Sequence, residues 1–163
     1  MHSPSGAEPS APETPLAERP AISRVHHITF ASRRLRSAAR LLAATARRFG
    51  LKTRIFSEAG AVTQDLARRY PETMAKPRGA GYWLWKPFIV QETLANVPDG
   101  DLVLYTDAAM RFVADPAPLF ACAQDEPIVL FELPGERFSM RRWTKRDCFV
   151  GLDADAPRFQ DIS

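Results

Sequence analysis

"RVHHITFASRRLRSAARLLAATARRFGLKTRIFS", residues 24–57, decides the fold. Its first nine residues are mostly apolar and carry the β-formers Val25, Ile28 and Phe30, the pattern of a short buried strand. Ser32 follows where a helix N-cap belongs. Leu35, Ala39, Leu42, Ala46 and Phe49 then recur at helical spacing, with the arginines mostly on the opposite face. Gly50 supplies a C′ stop, and LKTRIFS (51–57) reads as a second strand. Strand, helix and strand in succession predict parallel pairing through a right-handed crossover.

The pattern continues beyond this unit. AVTQDLARRY predicts a second helix, stopped by Pro71. Residues 71–81 hold two prolines and two glycines and read as a loop. YWLWKPFIVQETLANV is helical in pattern, and Pro87 is tolerated only in a first turn, so this helix should start near Trp85. PDG (98–100) is a turn, Leu102 to Tyr105 an apolar buried strand, and PIVLFEL (127–133) a further one. The expected fold class is therefore α/β: a mostly parallel, Rossmann-like sheet flanked by helices. Residues 1–21, rich in Pro, Ser, Ala and Glu, read as a disordered tail before a single domain over 22–163.

Composition narrows the classes. No apolar run approaches the roughly 20 residues of a membrane-spanning helix. The N-terminus lacks the basic and apolar regions of a signal peptide, and Cys122 and Cys148 have no metal-like spacing, so a reduced, cytoplasmic chain is expected. The net charge is +3, but ten basic residues and no acid lie between Glu18 and Glu58. Such a block is either a solvated helix face or an attractor of anions: a phosphorylated ligand, an anionic membrane surface or, least favoured, nucleic acid.

Parallel sheets bind ligands at the carboxyl ends of their strands. Asp107 stands just past LVLY, where a carboxylate can meet a divalent cation or a ribose hydroxyl; its plainer reading is a turn or cap residue. RGAGYWLWKP (78–87) combines Gly79 and Gly81, which let a backbone approach a ligand, with aromatic faces and the Lys86 charge. Its plainer reading is a set of core anchors. RRWTKRDCF (141–149) mixes basic residues with Trp143 and is equally readable as a solvated loop. His26 and His27 are adjacent on a strand and point to opposite faces, which makes a poor metal site. No P-loop, GxGxxG or GxSxG is present.

Taken in order, GYWLWKP, YTDA and WTKRD resemble a bacterial group of nucleotide-diphospho-sugar transferases of the A-type glycosyltransferase fold, over residues from about 25 to about 152. The resemblance implies a glycosyltransferase that moves a sugar from a nucleotide-sugar donor, commonly a UDP-sugar, to a glycan or lipid-linked acceptor. It further implies a setting in surface polysaccharide synthesis, and the basic block would let a cytoplasmic enzyme sit peripherally at the inner membrane. Thr29, Phe30, Ala31 and Ser32 would cup the base. Arg78, Gly79, Gly81, Tyr82, Trp83 and Lys86 would lie along the donor, and Trp143, Lys145 and Arg146 would add contacts. Asp107 would match the first acid of an Asp-x-Asp motif that holds Mn²⁺ or Mg²⁺, and Asp147 is a second catalytic candidate. Two departures stand out. The motif reads Asp107-Ala108-Ala109, so either a distant acid completes a metal site or basic groups such as Lys145 and Arg146 replace it. Members of the fold also continue well past this length, so a C-terminally truncated chain is expected. Two other readings follow from these departures and from the basic block: a non-catalytic nucleotide-sugar-binding remnant, and a basic module for nucleic acid or anionic membrane.

Overall fold

The computed structural model describes residues 24–124, 126–131 and 135–160. The expected tail, residues 1–21, lies outside them, as do residues 132 and 133 of the last expected strand. The chain divides into two compact units at residues 125 and 126.

The first unit is built on a three-stranded parallel sheet in the order β2-β1-β3. Strand β1 (Val25–Ala31) takes the centre. It pairs with β2 (Thr53–Ser57) in the register Phe30 to Phe56, and with β3 (Leu102–Tyr105) in the register Ile28 to Tyr105. β1 is the most buried of the three, because both its faces are covered.

A turn of 3-10 helix (Arg33–Leu35) follows Ser32 and leads into α1 (Arg36–Arg47). The helix buries Ala39, Leu42 and Ala46, the stripe predicted from spacing. Leu35, the first expected member, belongs to the 3-10 turn and is exposed. Gly50, at φ +76°, ends the helix as expected. The Leu51 N–H donates to Ala46 O and the Gly50 N–H to Arg47 O, the paired bonds of a Schellman stop.

The other face of β1 carries the main core, in which Ile28 and Phe30 meet Phe56, Leu66, Trp85 and Ile89. Helix α2 (Ala61–Arg69) contributes Leu66. Helix α5 (Trp85–Leu94) begins where Pro87 requires and buries Trp85, Ile89 and Thr93, four residues apart on one stripe.

Two sequence expectations fail. Residues 71–81 are not a plain loop. Pro71 both ends α2 and opens the one-turn helix α3 (Pro71–Met74), since a ring-locked φ suits a first helical position. A second one-turn element, α4 (Gly79–Tyr82), follows. The run at 127–131 is not a strand: those residues join no ladder, and Ile128, Leu130 and Phe131 are exposed. Apolar composition marks residues that a sheet would accept, but it does not supply a neighbouring edge to pair with. The first unit ends with α6 (Ala117–Cys122), and the second unit instead holds the short helices α7 (Met140–Trp143), α8 (Arg146–Gly151) and α9 (Pro157–Gln160). Among the described residues, no helix is long and apolar enough to cross a membrane.

Candidate functional site

The backbone of α4 runs left-handed. Gly79, Ala80, Gly81, Tyr82 and Trp83 all have positive φ, at 62°, 50°, 92°, 52° and 60°. The Tyr82 N–H donates to Arg78 O at 2.8 Å and the Trp83 N–H to Gly79 O at 3.1 Å, so the turn keeps helical bonding with the opposite hand. L-residues pay for that hand at about 1–2 kcal/mol each, and Ala80, Tyr82 and Trp83 are not glycines.

Tertiary contacts hold the turn in place. The Trp85 indole N–H donates to Gly79 O at 2.9 Å, and its ring stacks on Phe30 with centroids 3.8 Å apart. The Trp83 ring lies so close over Gly79 that a Cβ there would fall 2.5 Å from Trp83 Cδ2. A Cβ on Gly81 would fall 2.7 Å from Met74 Sδ. Both glycines are therefore required by close approach as well as by φ.

This turn forms one wall of an open cleft of about 770 Å³ at the carboxyl edge of β1 and β3. Phe30 and Trp85 form its aromatic floor, while Ser32, Arg33 and Arg34 enter from the end of β1. Tyr105, Asp107, Ala108 and Ala109 enter from the end of β3. Ala108 is buried against Ala31 and Ala39, so three small side chains seat the loop on β1 and α1 and leave Asp107 exposed.

Asp107 has two neighbours on one oxygen. The Tyr105 hydroxyl donates to Oδ1 at 2.6 Å, and Lys86 Nζ lies 3.4 Å from the same atom. The ammonium also sits 4.6 Å from the centre of the Tyr105 ring. Burial, and then the adjacent Asp107 carboxylate, push the Tyr105 hydroxyl above its ordinary range. It therefore stays protonated and keeps donating. Among the described residues, no group of three or more His, Cys, Asp or Glu is placed to share a metal ion.

The residues expected from sequence divide into three groups. Phe30, Ser32, Gly79, Trp83 and Asp107 line the cleft, and Lys86 joins it through Asp107. Thr29, Ala31 and Gly81 are interior and support it; the Thr29 hydroxyl is buried without a hydrogen-bond partner among the described residues. Tyr82 is exposed, and the Arg78 guanidinium lies 5.8 Å from the Trp83 ring centre. Trp143, Lys145, Arg146 and Asp147 belong to the second unit. There the Trp143 indole N–H donates to Arg137 O at 2.8 Å, and Asp147 lies in the exposed first turn of α8. Arg146 donates to Asp155 Oδ2 from Nε at 3.0 Å and from a terminal nitrogen at 2.8 Å, beside a smaller cleft of about 340 Å³.

Sequence reasoning missed Tyr105 as a partner of Asp107, and it assigned Arg33 and Arg34 only to a general basic block. The available signal was position: both arginines follow a strand end directly, where the same rule that singled out Asp107 applies. No protein-family model matches the chain, and no curated protein or solved structure shows significant similarity to it.

His27 forms part of the scaffold. It is buried, its Nδ1 lies 2.8 Å from Thr53 Oγ1, and its Nε2 lies 2.8 Å from Thr106 Oγ1. Burial lowers its pKa to about 4, so it is neutral at pH 7.

Proposed function

We propose that the first unit is the nucleotide-diphospho-sugar site of a glycosyltransferase, with a UDP-sugar as donor and a glycan or lipid-linked molecule as acceptor. One observation carries this reading. Gly79 and Trp83 of RGAGYWLWKP line the same strand-end cleft as Asp107 of YTDA, and Lys86 touches Asp107 across the intervening sequence. Parallel α/β sheets bind ligands at that edge.

The residues suit the parts of such a donor. The half-exposed Trp83 indole offers a face to the base or sugar ring, and the Arg33 and Arg34 guanidiniums suit a diphosphate. Asp107, steadied by Tyr105 and Lys86, can accept a hydrogen bond from a sugar or ribose hydroxyl. In transfer, the bond from the sugar's anomeric carbon to the diphosphate oxygen breaks, and an acceptor hydroxyl oxygen bonds that carbon and releases its proton. Negative charge grows on the departing nucleotide, and preorganised cations lower the barrier by stabilising it.

The test is a thermal-shift panel of UDP, GDP and their sugars, followed by an assay of donor hydrolysis and transfer. A ligand at about 100 times its dissociation constant adds roughly 2.7 kcal/mol to stability, which is easily read in a small domain. Selective stabilisation by one nucleotide, lost in Asp107→Ala while the unliganded melt is kept, supports the reading. Unchanged donor affinity in that variant removes Asp107 from the site. Binding without turnover identifies a nucleotide-sugar-binding module instead of an enzyme.

A further inference from the structure

Resting on that reading, we infer that the site binds its nucleoside diphosphate without a divalent ion, using Arg33 and Arg34 for the diphosphate and Lys86 as the cation beside Asp107. Asp107 already has a donor and a cation at one oxygen. Its Oδ1 accepts the Tyr105 hydroxyl and faces the Lys86 ammonium at 3.4 Å, while the Tyr105 ring beneath holds that ammonium at 4.6 Å. A divalent ion on this carboxylate would stand beside a positive charge, and on Oδ1 it would compete with that charge for the same oxygen.

The rest of the cleft offers little to overcome that repulsion. Hard divalent ions need several oxygen ligands. Ala109, two residues beyond Asp107, is an exposed cleft residue whose side chain is a methyl group and offers no oxygen. Glu58, the other acid of the cleft, accepts the Arg33 backbone N–H at 3.1 Å.

The cations, by contrast, are already in place. Arg33 and Arg34 are exposed on the cleft wall, and neither guanidinium has an acidic side-chain partner among the described residues. Guanidinium matches the geometry of phosphate oxygens and stays charged at any pH of interest. The side chains therefore supply, as fixed charges, the neutralisation that a metal would bring with the ligand.

The decisive experiment is titration of the full chain with UDP by calorimetry, once in EDTA and once in Mn²⁺. UDP affinity should agree within about twofold between the two buffers. Uridine should bind more weakly than UDP by at least about tenfold, since most of the contact is to the diphosphate. Lys86→Met should weaken UDP binding in EDTA by about tenfold, with Lys86→Arg retaining most of it. Arg33→Gln with Arg34→Gln should weaken it further, with circular dichroism melts confirming that each variant folds. UDP binding that appears only with Mn²⁺ overturns the inference and leaves the donor-site reading standing. Unchanged affinity in folded Lys86→Met overturns the role given to Lys86. A folded chain that binds neither UDP nor GDP in either buffer overturns the donor-site reading itself, and the inference with it.

Discussion

Trp83 and Trp85 stand two residues apart and have opposite surroundings. Trp85 is 4% exposed, stacked on Phe30 and hydrogen-bonded to Gly79 O. Trp83 is 46% exposed and lies on the wall of the cleft. The left-handed turn ends at Trp83 and the right-handed helix α5 begins at Trp85, so the chain changes hand between them. One aromatic run thus divides its labour. Trp85 anchors the scaffold, and that anchor secures a costly backbone turn that presents Trp83.

Removing the anchor has the largest expected effect. Trp85→Ala should cost about 3–5 kcal/mol of unfolding free energy, as large-to-small aromatic core changes do. Urea denaturation monitored by circular dichroism reads the loss. A cost near that of an exposed site would mean that the stack on Phe30 does not hold the turn.

The scaffold side also carries a pH signature through His27. Its folded pKa of about 4 lies below the unfolded value of 6.5, so the unfolded chain binds more protons between them. The His27 contribution is complete above pH 6.5, falls as the pH drops from 6.5 towards 4, and levels off below that. The shift corresponds to roughly 3 kcal/mol over the whole window. Equilibrium unfolding at stepped pH should show this slope in the parent chain and a flatter one in His27→Gln; equal slopes would place the titration elsewhere.

A smaller effect probes the turn itself. Gly79→Ala puts a Cβ where the Trp83 ring lies and an L-residue at φ +62°. The backbone strain alone is about 1–2 kcal/mol, so a loss of about 2 kcal/mol is expected once the ring is displaced. A changed tryptophan emission spectrum should accompany it. The smallest stability effect belongs to Trp83→Ala, at about 1 kcal/mol or less, because half of the ring already faces water. If the cleft takes a nucleotide, the cost of that variant should appear in nucleotide affinity, with the melt little changed.

Much of the scaffold was legible because short-range rules agree there. Apolar runs marked β1, β2 and β3, helical spacing marked the buried stripe of α1, Gly50 marked its end, and Pro87 fixed the start of α5. At the cleft, the strand-end rule picked out Asp107 from position alone, and Gly79, Trp83 and Lys86 from a motif beside it. The run at 127–131 was misread because an apolar strand pattern says nothing of whether an edge waits for it.

Short-range pattern is enough for the parallel β-α-β frame and the edge at which to look, since periodicity, caps and turn residues act over a few positions. The hand of residues 79–83, the separate fates of the two tryptophans, and the meeting of Tyr105 and Lys86 on one oxygen of Asp107 arise only in the closed fold. Left-handed φ at alanine, tyrosine and tryptophan runs against local preference. It persists only where distant groups outweigh its cost, and those groups come together only when the sheet and helices close.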